Sequence, residues 1–392
     1  MGLHRRNNES LGELLFTMHV LSSTMAAPIG TPRYMVACGW FHMAVVTPKG
    51  ELFTHGCGYD GKLGHGAERV QRVPRQVEAF AGNRVVQVSC GEDHTAVIVS
   101  TGELFICGRI NGVTQINKDI PDYLVLKKVQ LPGGKHVVCV SSGKGYMAIV
   151  TVDGELFTVG SGCDGKLGHG TEDDEAVPRK VEALAGECVV WVSCGRWHTA
   201  VLTSDGKLFT FGCGYEGQLG HGTGDKTKYD NEMLPRKVEG VLVGKFVTQV
   251  GCGRFHTAAL TSNGELFTFG EGDFGQLGYA QSDHYKVLSD SNQVLPGRRI
   301  VWLSCGANHT AVVTLEGELI TFGQAQFGVL GHGSADAELV PRRVESLAGK
   351  QIVQVSCGKQ LTAVTTLDGE VITFGMGMME HLKISKPTAN GC

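Results

Sequence analysis

Short apolar runs separated by polar turns recur along the whole chain. Many come in pairs around an x-Gly step: His198 to Thr203 and Lys207 to Phe211, for example, flank Asp205-Gly206. Runs this short, rich in β-branched residues and bounded by turn residues, read as strands. Asp-Gly and Asn-Gly accept the positive φ of a tight primed turn, so each pair is expected to form an antiparallel hairpin closed by such a turn. A further apolar run, such as Val85 to Ser89 or Val189 to Ser193, precedes the hairpin, and a Pro-Arg-x-Val segment at Pro74, Pro178, Pro235 and Pro341 follows it. The unit is therefore about four short strands.

The unit repeats. Cys-Gly or Ser-Gly stands at Cys38, Cys90, Ser142, Cys194, Cys252, Cys305 and Cys357, at spacings of 52, 52, 52, 58, 53 and 52. Twelve residues on come Gly50, Gly102, Gly154, Gly206, Gly264, Gly317 and Gly369, and a third glycine ends the next strand at 56, 108, 160, 212, 270, 323 and 375. A G-x-L-G-H-G loop then follows at 61–66, 165–170, 217–222 and 328–333, with Tyr279 ending the fifth copy, and the second copy has lost it. Seven units of about four antiparallel strands fit an all-β, seven-bladed β-propeller better than an open solenoid, because radial closure protects strand edges.

The repeats occupy residues 34–378, between an N-terminal extension over 1–33 and a tail over 379–392. The seventh unit stops after Gly377 and lacks the loop and the Pro-Arg-x-Val strand, so another segment must complete it. Tyr34 to Ala37 is expected to act as the clasp. Residues 11–22 read as a short amphipathic helix with Ser10 and Glu13 as a capping box; the rival is an extra strand, since Gly12 to Thr17 echoes the repeat's G-E-L-F-T.

Composition narrows the function classes. Glycine supplies 56 of 392 residues, roughly double the usual share, and without a three-residue period it marks turns rather than collagen. A net charge of −4 gives no bulk attraction to phosphate backbones, so direct nucleic-acid binding is not expected. No apolar run is long enough to span a membrane, and Glu9 and Glu13 fit poorly with a secretory or transit signal, which makes an intracellular place, cytoplasmic or nuclear, the default expectation. Thirteen cysteines with no C-x-x-C pair support neither a disulfide framework nor zinc.

The run C-G-x-x-H-T-A-V-L-T-x-D-G-x-L-F-T-F-G-x-G-x-x-G-x-L-G-H-G at Cys194 to Gly222 resembles the regulator of chromosome condensation repeat family, and the match extends over about 34–378. The resemblance implies a seven-bladed propeller and several distinct functions. One is guanine-nucleotide exchange on a small Ran-type GTPase, for which only Asp93 and His309 match acidic and histidine motif positions. Another is ultraviolet-B reception through Gly-Trp-Arg-His motifs; here the order is reversed, as Gly-Arg-Trp-His at 195–198 and Gly-Arg-Phe-His at 253–256, with four tryptophans in all.

No nucleophile with its own base, paired carboxylates or metal-ligand spacing stands apart from the repeat, so no catalytic residue, metal or cofactor is expected. The recurrent histidines at 42, 94, 198, 256 and 309, those at 65, 169, 221 and 332, and the repeated cysteines read as scaffold. Function should then lie where the copies differ. The two residues after Cys-Gly differ most, and Arg196, Trp197, Arg254 and Phe255 form the preferred partner-binding patch, with Trp40 and Phe41 as a second. Glu92, Asp93 and His309 join them as candidate contacts. Inter-blade packing of stacked guanidinium groups is the rival reading. An insertion at Thr223 to Met233 offers loop contacts in Asp225, Lys226, Lys228, Tyr229 and Asp230; Arg109 to Asp122 and a polar stretch at Gln281 to Asn292 also break register. The resulting expectation is a non-enzymatic scaffold for a protein partner, either a small GTPase or a ubiquitin-pathway component.

Overall fold

The computed structural model describes residues 34–375 apart from 112, 114–123, 125, 223–230, 280–285, 290–294 and 296. They form seven antiparallel sheets around one axis. The first holds β1 (Met35–Cys38), β2 (His42–Val46), β3 (Leu52–Gly56) and β4 (Gln71–Gln76); the second holds β5 (Val85–Cys90), β6 (His94–Val99), β7 (Leu104–Gly108) and β8 (Lys127–Val129). The third and fourth comprise β9 (Val137–Ser142), β10 (Tyr146–Thr151), β11 (Leu156–Gly160) and β12 (Glu175–Lys180), then β13 (Val189–Cys194), β14 (His198–Thr203), β15 (Leu208–Gly212) and β16 (Glu232–Lys237). The fifth and sixth comprise β17 (Val247–Cys252), β18 (His256–Thr261), β19 (Leu266–Gly270) and β20 (Lys286–Ser289), then β21 (Ile300–Cys305), β22 (His309–Thr314), β23 (Leu319–Gly323) and β24 (Glu338–Arg343). The seventh has three strands among the described residues: β25 (Ile352–Cys357), β26 (Leu361–Thr366) and β27 (Val371–Gly375).

Each first strand touches the first strands of both neighbouring blades, including β1 against β25, so the ring is closed. Burial follows the radius. Second strands such as β14 are buried at every position, as expected of strands covered on both sheet faces, whereas the fourth strands alternate between half-buried and exposed. Those outer edges carry Pro74, Pro178, Pro235 and Pro341, and ion pairs Arg179–Glu175, Arg236–Glu232 and Arg342–Glu338, which discourage a further strand from adding on. Core clusters lie between blades: Tyr146 and Val150 of the third pack with Val192, Val201 and Phe211 of the fourth.

Three details depart from the sequence reading. The hairpin turns are not primed two-residue turns. Gly206 N–H closes on the Thr203 carbonyl at 2.9 Å, and of the turn residues only Gly206 has positive φ, at 77°. That is the longer hairpin with a glycine bulge; a primed turn of the type expected needs positive φ at Asp205 as well. The clasp is also misplaced: β1 pairs with β2 as the inner strand of the first blade, because Met35–Cys38 is simply the first copy of the apolar run that ends in Cys-Gly. It still closes the ring, since Ser356 Oγ accepts from Cys38 N–H at 2.9 Å and Gln354 Oε1 accepts from Val36 N–H at 3.4 Å. Finally, the stretch at Gln281 to Asn292 contains β20, and Glu232 and Met233, taken as insertion, belong to β16. Residues 11–22 lie outside the described residues.

Candidate functional site

The repeated polar residues build the frame that carries the site. Thr257 Oγ1 donates to the Gln218 carbonyl at 2.8 Å and lies 2.8 Å from His198 Nε2. With its proton committed to the carbonyl, the hydroxyl accepts from the histidine, which fixes the neutral Nε2–H tautomer. The latch joins the loop and histidine of one blade to the threonine of the next. It recurs as His42–Thr95, His256–Thr310 and His309–Thr362, and as Tyr146 with Thr199. Where the loop is missing the latch fails in a correlated way. The second blade has no such loop, the next blade carries Met147 in place of threonine, and both ring nitrogens of buried His94 lack a partner among the described residues. At the seam between the seventh and first blades, the corresponding pair is Leu361 and Met43. The loop histidines are structural too: Thr210 Oγ1 donates to the Leu219 carbonyl and accepts from His221.

Burial pushes the His198 and His256 rings down to about 3 and those of His94 and His309 to about 4. Burial also pushes the thiols of Cys194, Cys252 and Cys357 up to about 12, so these cysteines are packing groups and not nucleophiles. The glycine that follows each forms an unbroken ring: a Cβ on Gly195 would lie 2.6 Å from the Gly253 carbonyl, and each of the other six meets its neighbour's carbonyl in the same way.

Above this ring the first variable residue of every blade faces one cavity of about 80 Å³ at the mouth of the axis, lined by Trp40, Glu92, Lys144, Arg196, Arg254, Ala307 and Lys359. Four are cations and one is a carboxylate. The expected patches merge into one. Arg196 from the fourth blade reaches across to lie 4.2 Å over the Trp40 ring of the first, and Lys359 lies 4.2 Å from the same ring. Trp197 is flanked by Lys144 at 4.7 Å, Arg196 at 5.1 Å and buried Lys166 at 5.4 Å, while Arg254 stacks on its neighbour Phe255 at 5.0 Å. The guanidinium stacking set against partner binding is therefore present, yet it holds the cations at the mouth. Phe41, 44% exposed, rims the site beside Lys359 at 4.8 Å.

Glu92 is 3.9 Å from Arg196, too far for a hydrogen bond. Its carboxyl is raised above the ordinary range by burial, against the pull of Arg196 and Lys144. Burial lowers Lys359, with Arg196 and Arg254 adding to the effect and Glu92 opposing it. Asp93 is occupied by buried Lys62, 3.2 Å away. His309 sits beneath the face, 1% exposed, in its latch with Thr362. Asp225, Lys226, Lys228, Tyr229 and Asp230 lie outside the described residues. Lys144 and Lys359 were not selected from the sequence; the signal was their position after Cys-Gly or Ser-Gly, the same as that of Arg196.

The model of the RCC1-like domain matches residues 111–389, and the regulator of chromosome condensation (RCC1) repeat matches 49–98 and 85–115. The chain belongs to the RCC1 repeat family. It is 34% identical over 319 residues to the ultraviolet-B receptor UVR8 of Arabidopsis thaliana, covering 80% of this chain and 70% of the receptor. It is 33% identical over 347 residues to the human E3 ubiquitin-protein ligase HERC2, covering 85% of this chain but only 7% of the ligase. Among solved structures, Prp20p from Saccharomyces cerevisiae, described with its binding properties to Gsp1p and histones, superposes with a TM-score of 0.74 at 21% identity over 84% of this chain and 81% of that one. This last likeness is one of fold. Among the described residues of this RCC1-repeat protein, no helix is long and apolar enough to cross a membrane.

Proposed function

We propose that this RCC1-repeat protein is a non-enzymatic scaffold that captures a protein partner on the axial face formed by Trp40, Lys144, Arg196, Trp197, Arg254 and Lys359. The observation that carries the reading is the cation–aromatic cluster itself, in which side chains from blades across the ring converge on one mouth. Arginine and tryptophan are the residue types that dominate interface hot spots, and a rigid ring presents them already ordered. Beneath it the inner strands are joined blade to blade by the latches at five seams, so the frame does not depend on the variable residues for its hydrogen bonds.

Replacing Arg196, Trp197, Arg254 and Phe255 together with alanine should leave the circular dichroism spectrum and cooperative unfolding intact while removing the proteins captured by the wild-type chain in an affinity pull-down read by mass spectrometry. Retention of the same captured set by the folded variant would remove this face from the reading. Nucleotide exchange on a small GTPase is the second reading, drawing on Asp93 and His309; the burial of His309 leaves Asp93 as its main support. Release of fluorescent nucleotide from a panel of small GTPases tests it, and acceleration by orders of magnitude would put exchange ahead of scaffolding.

A further inference from the structure

The axial mouth is too small for a folded element and carries more positive charge than its own groups neutralise. Four cations and a single carboxylate meet at a cavity of about 80 Å³ in a chain whose net charge is −4. The one acid does not satisfy its neighbour: Glu92 Oε2 and Arg196 Nε are both buried and lack a hydrogen-bond partner among the described residues, as does Arg254 Nε. Leaving a buried charged donor unpaired is costly, so a ligand that brings acceptor oxygens to the two guanidinium groups gains more than a surface ion pair would. The Trp40 and Trp197 rings restrict Arg196 and Lys359, so part of the ordering cost of binding is met before the ligand arrives.

The occupant follows from charge and volume. The cavity has room for one tetrahedral or planar anionic group, with the rest of the ligand outside the mouth. One carboxylate would leave much of the excess positive charge uncompensated, whereas a phosphate monoester brings nearly two negative charges and three acceptor oxygens in the same space. Two guanidinium groups can each offer a fork of donors to such oxygens. We propose that the axial mouth binds a phosphorylated side chain of the protein partner, with Arg196, Arg254 and Lys359 as its ligands and Trp40 as the platform that orients them. This proposal rests on the scaffold reading and names the partner chemistry of the same face.

Glu92 is the internal competitor for Arg196, so the phosphate group displaces an interaction that is already long. Its replacement by glutamine keeps shape and removes the competing charge.

Tryptophan emission reports the test, because Trp40 lines the mouth and Trp197 lies 5.1 Å from the Arg196 guanidinium. The 392-residue chain is titrated with a short glycine-flanked phosphoserine peptide, with the same peptide carrying serine or glutamate, and with inorganic phosphate. The expected result is saturable quenching by the phosphoserine peptide, at least tenfold weaker binding of the glutamate peptide, none by the serine peptide, and weak competition by inorganic phosphate. Arg196→Gln with Arg254→Gln should weaken the phosphopeptide at least tenfold, and Glu92→Gln should strengthen it severalfold. Equal or tighter binding of the glutamate peptide, unchanged affinity in the folded double variant, or no binding by the wild type overturns the proposal. So does tighter binding of a single-stranded oligonucleotide than of the phosphopeptide. Capture that is lost in the fourfold alanine variant but unaffected by phosphatase treatment of the partner preparation would leave the scaffold standing and remove the phosphate. Capture retained by that variant would remove both.

Discussion

His198 has one ring proton and one neighbour able to accept it, the Thr257 hydroxyl. Protonating the other nitrogen would create a buried cation, and burial holds this ring at about 3 while its unfolded counterpart titrates near the usual 6.5. Between those values the unfolded chain binds the proton and the folded one does not, so stability is fully present above pH 6.5 and falls as the pH drops toward 3. By pH 5 the cost is about 2 kcal/mol for each such histidine. His94, His256 and His309 contribute in the same direction. His198→Gln keeps a donor toward Thr257 and removes the titration. In urea unfolding, its loss of stability from pH 7 to pH 5 should be about 2 kcal/mol smaller than that of the wild type; equal losses would show that His198 charges freely in the folded state.

At the scale of the element, the Cys-Gly step ends each inner strand and sets how closely neighbouring blades approach. The Gly195 hydrogen faces the Gly253 carbonyl with no space for a methyl, and the His198 ring closes the other side at 2.8 Å. Gly195→Ala must push two blades apart, or displace the latch histidine, at about 1–3 kcal/mol for overpacking. A thermal unfolding midpoint lowered by several degrees is the expected outcome, and an unchanged midpoint would mean that the ring yields more easily than its contacts imply. The same element scale explains what the sequence disclosed. Strand positions, the repeat length and the scaffold role of the histidines were legible because they recur. The turn type was not, since Asp205-Gly206 serves either hairpin and only the φ of Asp205 distinguishes them. β20 was missed because Lys286–Ser289 lacks the Pro-Arg-x-Val signature and lies in a polar stretch.

At the scale of the whole molecule two seams lack the latch, and one of them, between the seventh and first blades, is where the ring closes. Leu361 and Met43 replace histidine and threonine between the seventh and first blades, so polar continuity there falls to β1 and β25 and to the Lys359 N–H that reaches the Gly39 carbonyl at 3.3 Å just beyond them. Ser356 accepts from Cys38 N–H and Gln354 from Val36 N–H, supported by the apolar contacts of Val36, Val45, Ala363 and Val371. Ser356→Ala combined with Gln354→Leu orphans both amides, at about 1–3 kcal/mol each. Amide hydrogen exchange at Val36 and Cys38 should quicken at least tenfold while β14 and β18 retain their protection. Uniform acceleration would instead show that the ring opens as one unit.

The repeat by itself determined the blade number and the order of strands, because a pattern copied seven times must answer to the same neighbours each time. The choice of Arg196, Trp197, Arg254 and Phe255 came from the same comparison. What only the tertiary structure decided is that Arg196 and Lys359 meet on Trp40, since residues more than a hundred positions apart converge only when the ring closes, and that Lys144 of the third blade lies on Trp197 of the fourth. The excess of positive charge at the axis has the same origin. A chain with net charge −4 reveals no cationic site until closure brings the cations of four separate blades to one mouth.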